Sequence, residues 1–144
     1  MKTGIKVIDA MTKKPVSVTQ DDTIRNCTQL MLDRHVGSLL VKEGEKLLGF
    51  LTERDLVRMI SMGVDPNTTR VKQIMTKKIV AISPEKDIYD AIVLMNRENV
   101  RRLPVILNNK IIGLITVRDI LTIQPTLFEL IMDKISIGES HRLM

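Results

Sequence analysis

One short stretch of this sequence occurs twice, and its repetition constrains the fold more than any other feature. The stretch reads Gly-Phe-Leu-Thr-Glu-Arg-Asp at residues 49–55 and Gly-Leu-Ile-Thr-Val-Arg-Asp at residues 113–119, an offset of 64 residues. At that offset residues 7–57 align with residues 71–121 without a gap, so the chain is an internal duplication. Because a repeated unit usually buries its apolar face against its own copy, we expect two halves related by a pseudo-twofold axis, with a paired cleft.

Size and composition limit the class of protein. At 144 residues the chain suits two tightly associated halves, since each half alone would bury only a marginal core. The apolar fraction of 44% and the charged fraction of 27% are those of a soluble globular protein, and the sequence has no apolar run of about 18 residues that would span a membrane. Met1–Lys6 lacks the apolar centre of a signal peptide. The single cysteine, Cys27, excludes an intrachain disulfide and lies on a predicted apolar helix face. These features predict a cytoplasmic protein.

The net charge of +5 raises the question of nucleic acid. Residues 1–64 carry ten Lys or Arg against eight Asp or Glu, and residues 65–144 carry twelve against nine, so the excess is spread evenly. One Tyr, two Phe and no Trp provide almost no surface on which bases stack. The distribution argues against nucleic acid as the main ligand, and a nucleic-acid-associated regulator is kept as an alternative function.

The apolar patterns predict a mixed α/β fold in which each repeat runs strand, helix, strand, strand, helix. We place the first repeat, with a lead-in helix at residues 1–10, at residues 1–64, and the second repeat at residues 65–122. The second repeat is expected to open with a lead-in at Val71–Met75 and a strand over residues 79–82. Residues 123–144 are predicted to form a C-terminal helix and tail, with its apolar period carried by Leu127, Leu130, Ile131 and Ile135.

Local signals place the ends of several elements. Residues 19–22, Thr-Gln-Asp-Asp, have the form of a capping box, and Ser83 with Pro84 reads as an N-cap and first helical residue. Turns are expected at residues 43–45 and 108–109, each closing a β-hairpin. Pro104 indicates an edge strand, because proline has no backbone N–H to donate. The predicted helices bury Ile24, Cys27 and Met31 in the first repeat and Ile88, Ala91, Ile92 and Met95 in the second.

The repeated stretch also suggests a chemistry. A glycine within a strand, such as Gly49, lets another backbone or a flat ligand approach closely. The helix that opens at Thr52 presents N–H groups that favour an anion, and Asp55 is suited to accept hydrogen bonds from a vicinal diol. Together the three describe a ribose phosphate. The alternative is that Thr-x-x-Asp is only a capping box that begins a helix. Both interpretations apply equally to the second copy, at Gly113, Thr116 and Asp119.

The two stretches resemble the Gly-apolar-apolar-Thr/Ser-x-x-Asp signature of the cystathionine-β-synthase (CBS) domain, and the chain is similar to a stand-alone tandem pair of such domains over about residues 7–122. The resemblance implies two repeats associated through small sheets, with clefts that bind AMP, ADP, ATP or S-adenosylmethionine. It also implies a regulatory, energy-sensing role, a homodimer and an unidentified protein target.

The resemblance further implies which residues form each cleft. In the first cleft Asp119 would hold the ribose, Thr116, Arg101 and Arg102 the phosphates, with Arg118 beside them, and the adenine would contact Lys14, Pro15, Val16, Val36, Gly37 and Ser38. In the second cleft Asp55 and Thr52 would take the same roles, with His35 nearby and an adenine side made of Lys78, Ile79, Val80 and Val100. Because the second cleft has Gly37 and Ser38 where the first has arginines, we expect the Asp119 cleft to bind AMP or ADP more tightly.

Other classes of function are less well supported by the sequence. An enzyme needs a nucleophile and a base held by a third group, and no such arrangement is visible, so we predict no catalytic activity. His35 and His141 are isolated from other metal-ligating residues, so we predict no metal site. A purely structural dimerisation module with empty clefts is the remaining alternative.

Overall fold

The structure is a computed structural model, and it describes residues 2–127 and residue 129. Within these residues six α-helices and six β-strands follow one another, and the chain passes into a short 3₁₀ turn at Pro125–Leu127. The helices are α1 (Val7–Ala10), α2 (Ile24–Arg34), α3 (Glu53–Ser61), α4 (Val71–Ile74), α5 (Ile88–Glu98) and α6 (Val117–Ile123). The strands are β1 (Thr12–Lys13), β2 (Ser17–Val18), β3 (Ser38–Glu43), β4 (Lys46–Thr52), β5 (Arg102–Leu107) and β6 (Lys110–Thr116).

The chain forms two compact units that are interleaved along the sequence. The first unit is Pro15–Ile79 together with Asn109–Ile111. The second unit is made of the other described residues, 2–14, 80–108, 112–127 and 129. The predicted boundaries at residues 64 and 122 mark the sequence repeat, whereas the compact units divide the chain elsewhere.

The lead-in segments explain this interleaving. In the second unit the N–H of Val7 donates to the Lys86 carbonyl at 2.8 Å, and Val7 is fully buried. In the first unit the N–H of Val71 donates to the Asp22 carbonyl at 3.0 Å, and Val71 is also fully buried. Each short lead-in helix therefore completes the core of the repeat that does not follow it in sequence.

Each unit has a three-stranded sheet whose strands were largely predicted. In the first unit the order is β2-β3-β4, and β3 pairs antiparallel with β4 around Gly44, which has a φ of 61°. The other sheet has the order β1-β6-β5, and the β5–β6 turn contains Asn108 and Asn109 with φ of 52° and 63°. Both hairpins are confirmed. The edge position predicted for Pro104 is also confirmed, since β5 ends its sheet.

The core of each unit is aliphatic, and the predicted helix stripes are confirmed. The alternating residues of the central strands and one face of each helix meet in a single buried cluster per unit. In the first unit the cluster includes Ile24, Cys27, Met31, Leu39, Val41 and Leu51. In the second unit it includes Ile88, Ala91, Ile92, Met95, Leu103 and Ile115.

The strand predicted over residues 79–82 is wrong: only Ile82 pairs with β5, through a bridge to Val105. The reason is Pro104. In the first unit the N–H of Leu40 donates to the Val16 carbonyl at 3.0 Å, and β2 forms beside β3. Pro104 occupies the position equivalent to Leu40 and has no N–H, so the matching bond to Val80 cannot form.

The helix starts predicted at residues 19–22 and at Ser83 are wrong by several residues. The N-caps are Thr23, whose hydroxyl accepts from the Asn26 N–H, and Asp87, whose carboxylate accepts from the Tyr89 N–H. The residues before these N-caps form backbone hydrogen bonds with the lead-in helices instead. The Gln20 carbonyl accepts from the Lys72 N–H, and the Pro84 carbonyl accepts from the Ile8 N–H, so both segments are held by a lead-in helix.

Asp87 ties the start of the chain to α5. Its carboxylate accepts from the N–H groups of Thr3 and Gly4 and from the Thr3 hydroxyl, at 2.8 to 3.1 Å. Burial acts to raise the pKa of Asp87, but these hydrogen bonds and the one from Tyr89 outweigh it, and the pKa lies below its usual value. The ionised form of Asp87 is thus part of the folded structure.

The predicted C-terminal helix lies almost entirely outside the described residues. Of its expected apolar positions only Leu127 is described, and it is buried in the second unit. Leu130, Ile131, Ile135 and the tail lie outside the described residues. Across residues 2–127 and 129, none of the helices has both the length and the apolar character required to cross a bilayer.

Candidate ligand sites in the two repeats

The Thr-x-x-Asp stretch forms a capping box in both repeats. Thr52 is the N-cap of α3 and Thr116 is the N-cap of α6. The Thr52 N–H donates to Asp55 at 2.8 Å, and the Thr116 N–H donates to Asp119 at 3.0 Å. In return each threonine hydroxyl accepts from the aspartate N–H, at 3.3 Å and 3.1 Å. The capping interpretation is therefore observed, and any ligand must use the acceptor capacity that remains.

Gly49 and Gly113 lie so close to a neighbouring backbone segment that a larger side chain would not fit at either position. A Cβ on Gly49 would collide with the carbonyl oxygen of Thr76, and a Cβ on Gly113 would lie 2.9 Å from the carbonyl oxygen of Thr12. These are the segments that follow the two lead-in helices. The sequence allowed either another backbone or a flat ligand to lie against each glycine, and the structure shows another backbone.

The two aspartates differ in how completely they are used. Asp55 is 3% exposed, accepts from the hydroxyls of Thr52 at 3.1 Å and Thr76 at 3.2 Å, and lies 3.7 Å from the Arg58 guanidinium. Asp119 is half-buried, and the Thr12 hydroxyl lies 3.4 Å from both of its oxygens. Since hydrogen bonds weaken with length, Asp119 keeps more capacity to accept from a ligand.

Arginines gather at one cavity in the second unit. The cavity has a volume of about 510 Å³ and lies where β5 and β6 meet α6. Arg101 and Arg118 are exposed and Arg102 is half-buried, and all three arginines line this cavity. The Val117 N–H donates to the Arg101 carbonyl at 3.1 Å, which fixes the Arg101 backbone against the start of α6. The lining residues are Arg101, Arg102, Thr116, Val117, Arg118, Leu121 and Thr122.

The first unit has a cavity at the related place, with different chemistry. Its volume is about 430 Å³, and it lies between the end of α2 and the start of α3. The Glu53 N–H donates to the Gly37 carbonyl at 3.1 Å, which matches the bond between Val117 and Arg101. The lining residues are Thr28, Met31, Leu32, His35, Val36, Gly37, Glu53 and Leu56.

The structure therefore brings together some of the expected site residues. Arg101, Arg102, Thr116 and Arg118 share the second-unit cavity, and His35, Val36 and Gly37 share the first-unit cavity. Neither Asp55 nor Asp119 is among the described residues that line these cavities.

The remaining expected residues lie on connecting segments or strand starts. Lys14 has a φ of 53° and ends the segment after β1, His35 is the left-handed C-cap of α2, and Ser38 begins β3. The other expected residues, which the structure places in no cavity described above, are Pro15, Val16, Lys78, Ile79, Val80 and Val100.

Sequence reasoning missed eight of the lining residues: Val117, Leu121 and Thr122 in the second unit, and Thr28, Met31, Leu32, Glu53 and Leu56 in the first. The signal for Glu53 was present, because the 64-residue alignment pairs Gly37 with Arg101 and Glu53 with Val117. The charge at these two facing positions therefore differs between the repeats. Thr12 and Thr76 were missed as partners of the aspartates for another reason: their contacts depend on tertiary structure.

Reactive and metal-binding groups are scarce in the described residues. Cys27 is fully buried, and burial, with the nearby charge of Asp22, raises the pKa of its thiol to about 11, which agrees with a packing role. Across residues 2–127 and 129, no three His, Cys, Asp or Glu side chains lie close enough to hold a metal ion. His141 is outside the described residues.

Comparison with known proteins identifies the family. The family model of the CBS domain matches residues 7–62 and 71–125, so the chain belongs to the CBS domain family and carries two copies of the domain. The CBS pair is a regulatory module. The CBS domain-containing protein YhcV of Bacillus subtilis is 33% identical over 115 residues, which are 79% of this chain and 81% of YhcV.

Two archaeal relatives are longer than this chain. Uncharacterized proteins of Methanocaldococcus jannaschii and Methanopyrus kandleri are 33% and 28% identical over 83% and 86% of this chain. The chain spans 40% of the length of the first and 65% of the length of the second.

Solved structures agree with the fold. The CBS domain protein NE2398 is 34% identical, with a TM-score of 0.72 over 77% of this chain and 88% of that chain. The CBS domain pair of protein MJ0100 was solved in complex with 5′-methylthioadenosine and S-adenosyl-L-methionine. It has a TM-score of 0.74 over 83% of this chain and 98% of that chain, at 20% identity, a likeness of fold alone.

Proposed function

We propose that this CBS pair is a regulatory module that binds an adenine nucleotide, AMP, ADP or ATP, and that the second-unit cavity holds its phosphates. The observation that carries the proposal is the convergence of Arg101, Arg102 and Arg118 on one cavity of about 510 Å³. Three arginines in one lining favour a negatively charged occupant, and no Asp or Glu is found among the described residues that line the cavity. An anionic ligand is the natural occupant.

Arginine suits phosphate better than it suits other anions. Its planar fork donates two parallel hydrogen bonds to one phosphate group, and these charge-assisted bonds are short and strong. Thr116 and Thr122 add hydroxyl groups to the same lining. The cavity therefore provides both charge and directed hydrogen bonds.

Asp119 is the proposed acceptor for the ribose hydroxyls. The Thr116 N–H occupies part of its acceptor capacity, and the 3.4 Å contacts with Thr12 are long enough for a ligand hydroxyl to replace them. Asp55 has shorter contacts and a buried side chain. We infer that the two repeats bind unequally, with the Asp119 side the tighter for AMP or ADP.

The adenine contacts stay a prediction from the family resemblance, with Lys14, Pro15, Val16, Val36, Gly37 and Ser38 on one side. The adenosine ligands of MJ0100 support this class of ligand for a CBS pair. S-adenosylmethionine is a further candidate here, but it carries no phosphate, so the arginines favour the nucleotides.

The proposed output is regulatory. The module would act in the cytoplasm as a homodimer, and an unidentified protein target would respond to the ligand-bound arrangement. The size of that response is limited by the difference in ligand affinity between the two arrangements.

Isothermal titration calorimetry with AMP tests the proposal. We expect micromolar binding that falls by about tenfold or more in Arg101→Ala, because a charge-assisted hydrogen bond is worth about 1.5–3 kcal/mol. The matched control is Arg25→Ala, which removes one exposed arginine from α2 of the first unit. An equal loss of AMP affinity in Arg101→Ala and Arg25→Ala would show only an effect of net charge and would contradict the proposal.

Two further measurements address the alternative functions. Thermal melting with AMP, ADP, ATP and S-adenosylmethionine must show a raised midpoint if any of them binds the folded state, and a purely structural module shows none. Gel-shift assays at two salt concentrations address nucleic acid: binding that falls steeply with salt and ignores AMP would favour the nucleic-acid alternative.

A further inference from the structure

The first-unit cavity has the opposite charge to the second-unit cavity. Where the second unit has Arg101 and Val117, the 64-residue alignment gives the first unit Gly37 and Glu53. Glu53 lines the first-unit cavity of about 430 Å³, and no Lys or Arg is found among the described residues of that lining. The cavities at equivalent places in the two repeats are thus lined by a glutamate in one and by three arginines in the other.

The Glu53 carboxylate takes up the space of the missing side chain. A Cβ on Gly37 would lie 3.2 Å from both Cδ and Oε1 of Glu53. The absence of a side chain at residue 37 therefore lets the carboxylate lie against the backbone, on the same side of the cavity that Arg101 borders in the second unit. None of the salt bridges between described residues involves Glu53.

The rest of the lining is mostly apolar. Met31 is almost fully buried, and Val36 and Leu56 are half-buried. His35 is the only other titratable group among the described lining residues. A ligand for this cavity must therefore combine an apolar body with a group that hydrogen bonds to a carboxylate.

We infer that the first-unit cavity rejects phosphate and takes an adenosine ligand whose 5′ substituent is a cation such as a primary ammonium, with Glu53 as the residue that determines this specificity. The inference rests on the proposed adenosine-binding function. An ammonium group donates charge-assisted hydrogen bonds to a carboxylate, whereas a phosphate beside Glu53 is repelled. The two cavities of one chain then bind two chemically different ligands, an adenosine phosphate and a cationic adenosine derivative.

The test uses AMP and 5′-amino-5′-deoxyadenosine in calorimetry with the full chain. We expect the wild-type protein to bind each compound at one site, and the amine to bind unchanged to protein already saturated with AMP. In Glu53→Val, which introduces the residue of the second repeat, we expect at least tenfold weaker binding of the amine, with AMP binding at the second-unit cavity unchanged. Glu53→Gln keeps the shape of the side chain but removes its charge, and it is also expected to weaken binding of the amine. Glu43→Gln removes an exposed carboxylate of the same unit and is the matched control.

The possible failures are distinguishable. Competition between the amine and AMP, or two AMP sites already present in the wild type, would overturn the inference and leave the proposed nucleotide function standing. The same holds if binding of the amine is unchanged in both Glu53 variants. If neither compound binds the wild type or any variant, both the inference and the proposed function are overturned.

Discussion

The side chains of Thr76 and Asp55, 21 residues apart in the chain, are joined by a hydrogen bond of 3.2 Å. In the other repeat Thr12 and Asp119 are in the equivalent relation, but the contact lengthens to 3.4 Å and the carboxylate is more exposed. The same pair of residue types therefore differs between the repeats in how far the aspartate is occupied by hydrogen bonds within the protein. Asp55 is mainly structural, and Asp119 keeps capacity for a ligand.

Substitution of the two aspartates should separate these roles. We expect Asp55→Ala to lower the free energy of unfolding by about 2 kcal/mol, because it removes the second half of the capping box and the shared acceptor of the Thr52 N–H and of the Thr52 and Thr76 hydroxyls. Asp119→Ala should cost about 1 kcal/mol, as for an ordinary cap, and weaken AMP binding about tenfold. Urea denaturation and calorimetry measure the two effects. An Asp119→Ala protein that binds AMP normally would contradict the assignment.

Gly49 should not tolerate a methyl group. The obstacle is the carbonyl oxygen of Thr76, which is backbone and is held in place by hydrogen bonds between Thr76 and Phe50 at 2.8 and 2.9 Å. We expect Gly49→Ala to destabilise the protein by about 1–3 kcal/mol in urea denaturation. Gly37→Ala is the control, since its neighbour is the mobile end of Glu53, and it should stay within about 0.5 kcal/mol of the wild type. Equal effects of the two substitutions would refute the explanation given for Gly49.

Asp87 should make stability depend on pH in the acid range. Its pKa in the folded protein lies below the usual 3.8, so its carboxylate contributes stability above the pKa of the unfolded chain and loses it as the pH falls through the lower folded pKa. Asp87→Asn keeps an N-cap residue and removes the charge. We expect a loss of about 1 kcal/mol at neutral pH, and we expect the gap to the wild type to close as acid neutralises the carboxyl.

The pH dependence is measured by thermal unfolding of both proteins across the acid range. Asp33→Asn, an exposed position on α2, is the control and should leave the curve unchanged. A gap between Asp87→Asn and the wild type that stays constant down to the lowest pH would mean that the charge of Asp87 has no part in the effect.

Replacement of Pro104 should extend the second sheet. Pro104→Leu introduces the residue of the first repeat, whose N–H donates to the Val16 carbonyl at 3.0 Å, and the new N–H should bond the Val80 carbonyl in the same way. Hydrogen exchange should then show a protected amide at residue 104. Leu40, already bonded in the wild type, provides the reference rate. Exchange at residue 104 as fast as in an exposed loop would show that Pro104 is not what prevents the strand.

Much of the fold follows from local sequence, and the two misplaced helix starts have the same cause. Thr52, Thr116 and the hairpin turns are set by residues within a few positions of each other, and each was placed correctly. The helix starts near residues 19 and 83 were misplaced because a local capping pattern competes there with bonds to Lys72 and Ile8. Those partners lie more than 50 residues away, and no local pattern records them.

For the candidate site, too, some residues could be predicted from the sequence and others could not. The phosphate role of Arg101 and Arg102 was predicted from the family resemblance, and the structure places both arginines at one cavity. The role of Glu53 depends on its contact with Gly37, 16 residues earlier, and on comparison with the second repeat. A single copy of the repeat would have shown Glu53 only as an acid in the first turn of a helix.

The exchange of lead-in helices has a consequence for how such a chain arose. Val71 completes the core of the first unit although it opens the second repeat, and Val7 completes the core of the second unit although it opens the first. A half-length ancestor with one leading segment reaches the same packing only by trading that segment with a twin molecule. Gene fusion would then have converted an association between two chains, sensitive to dilution, into a permanent property of one.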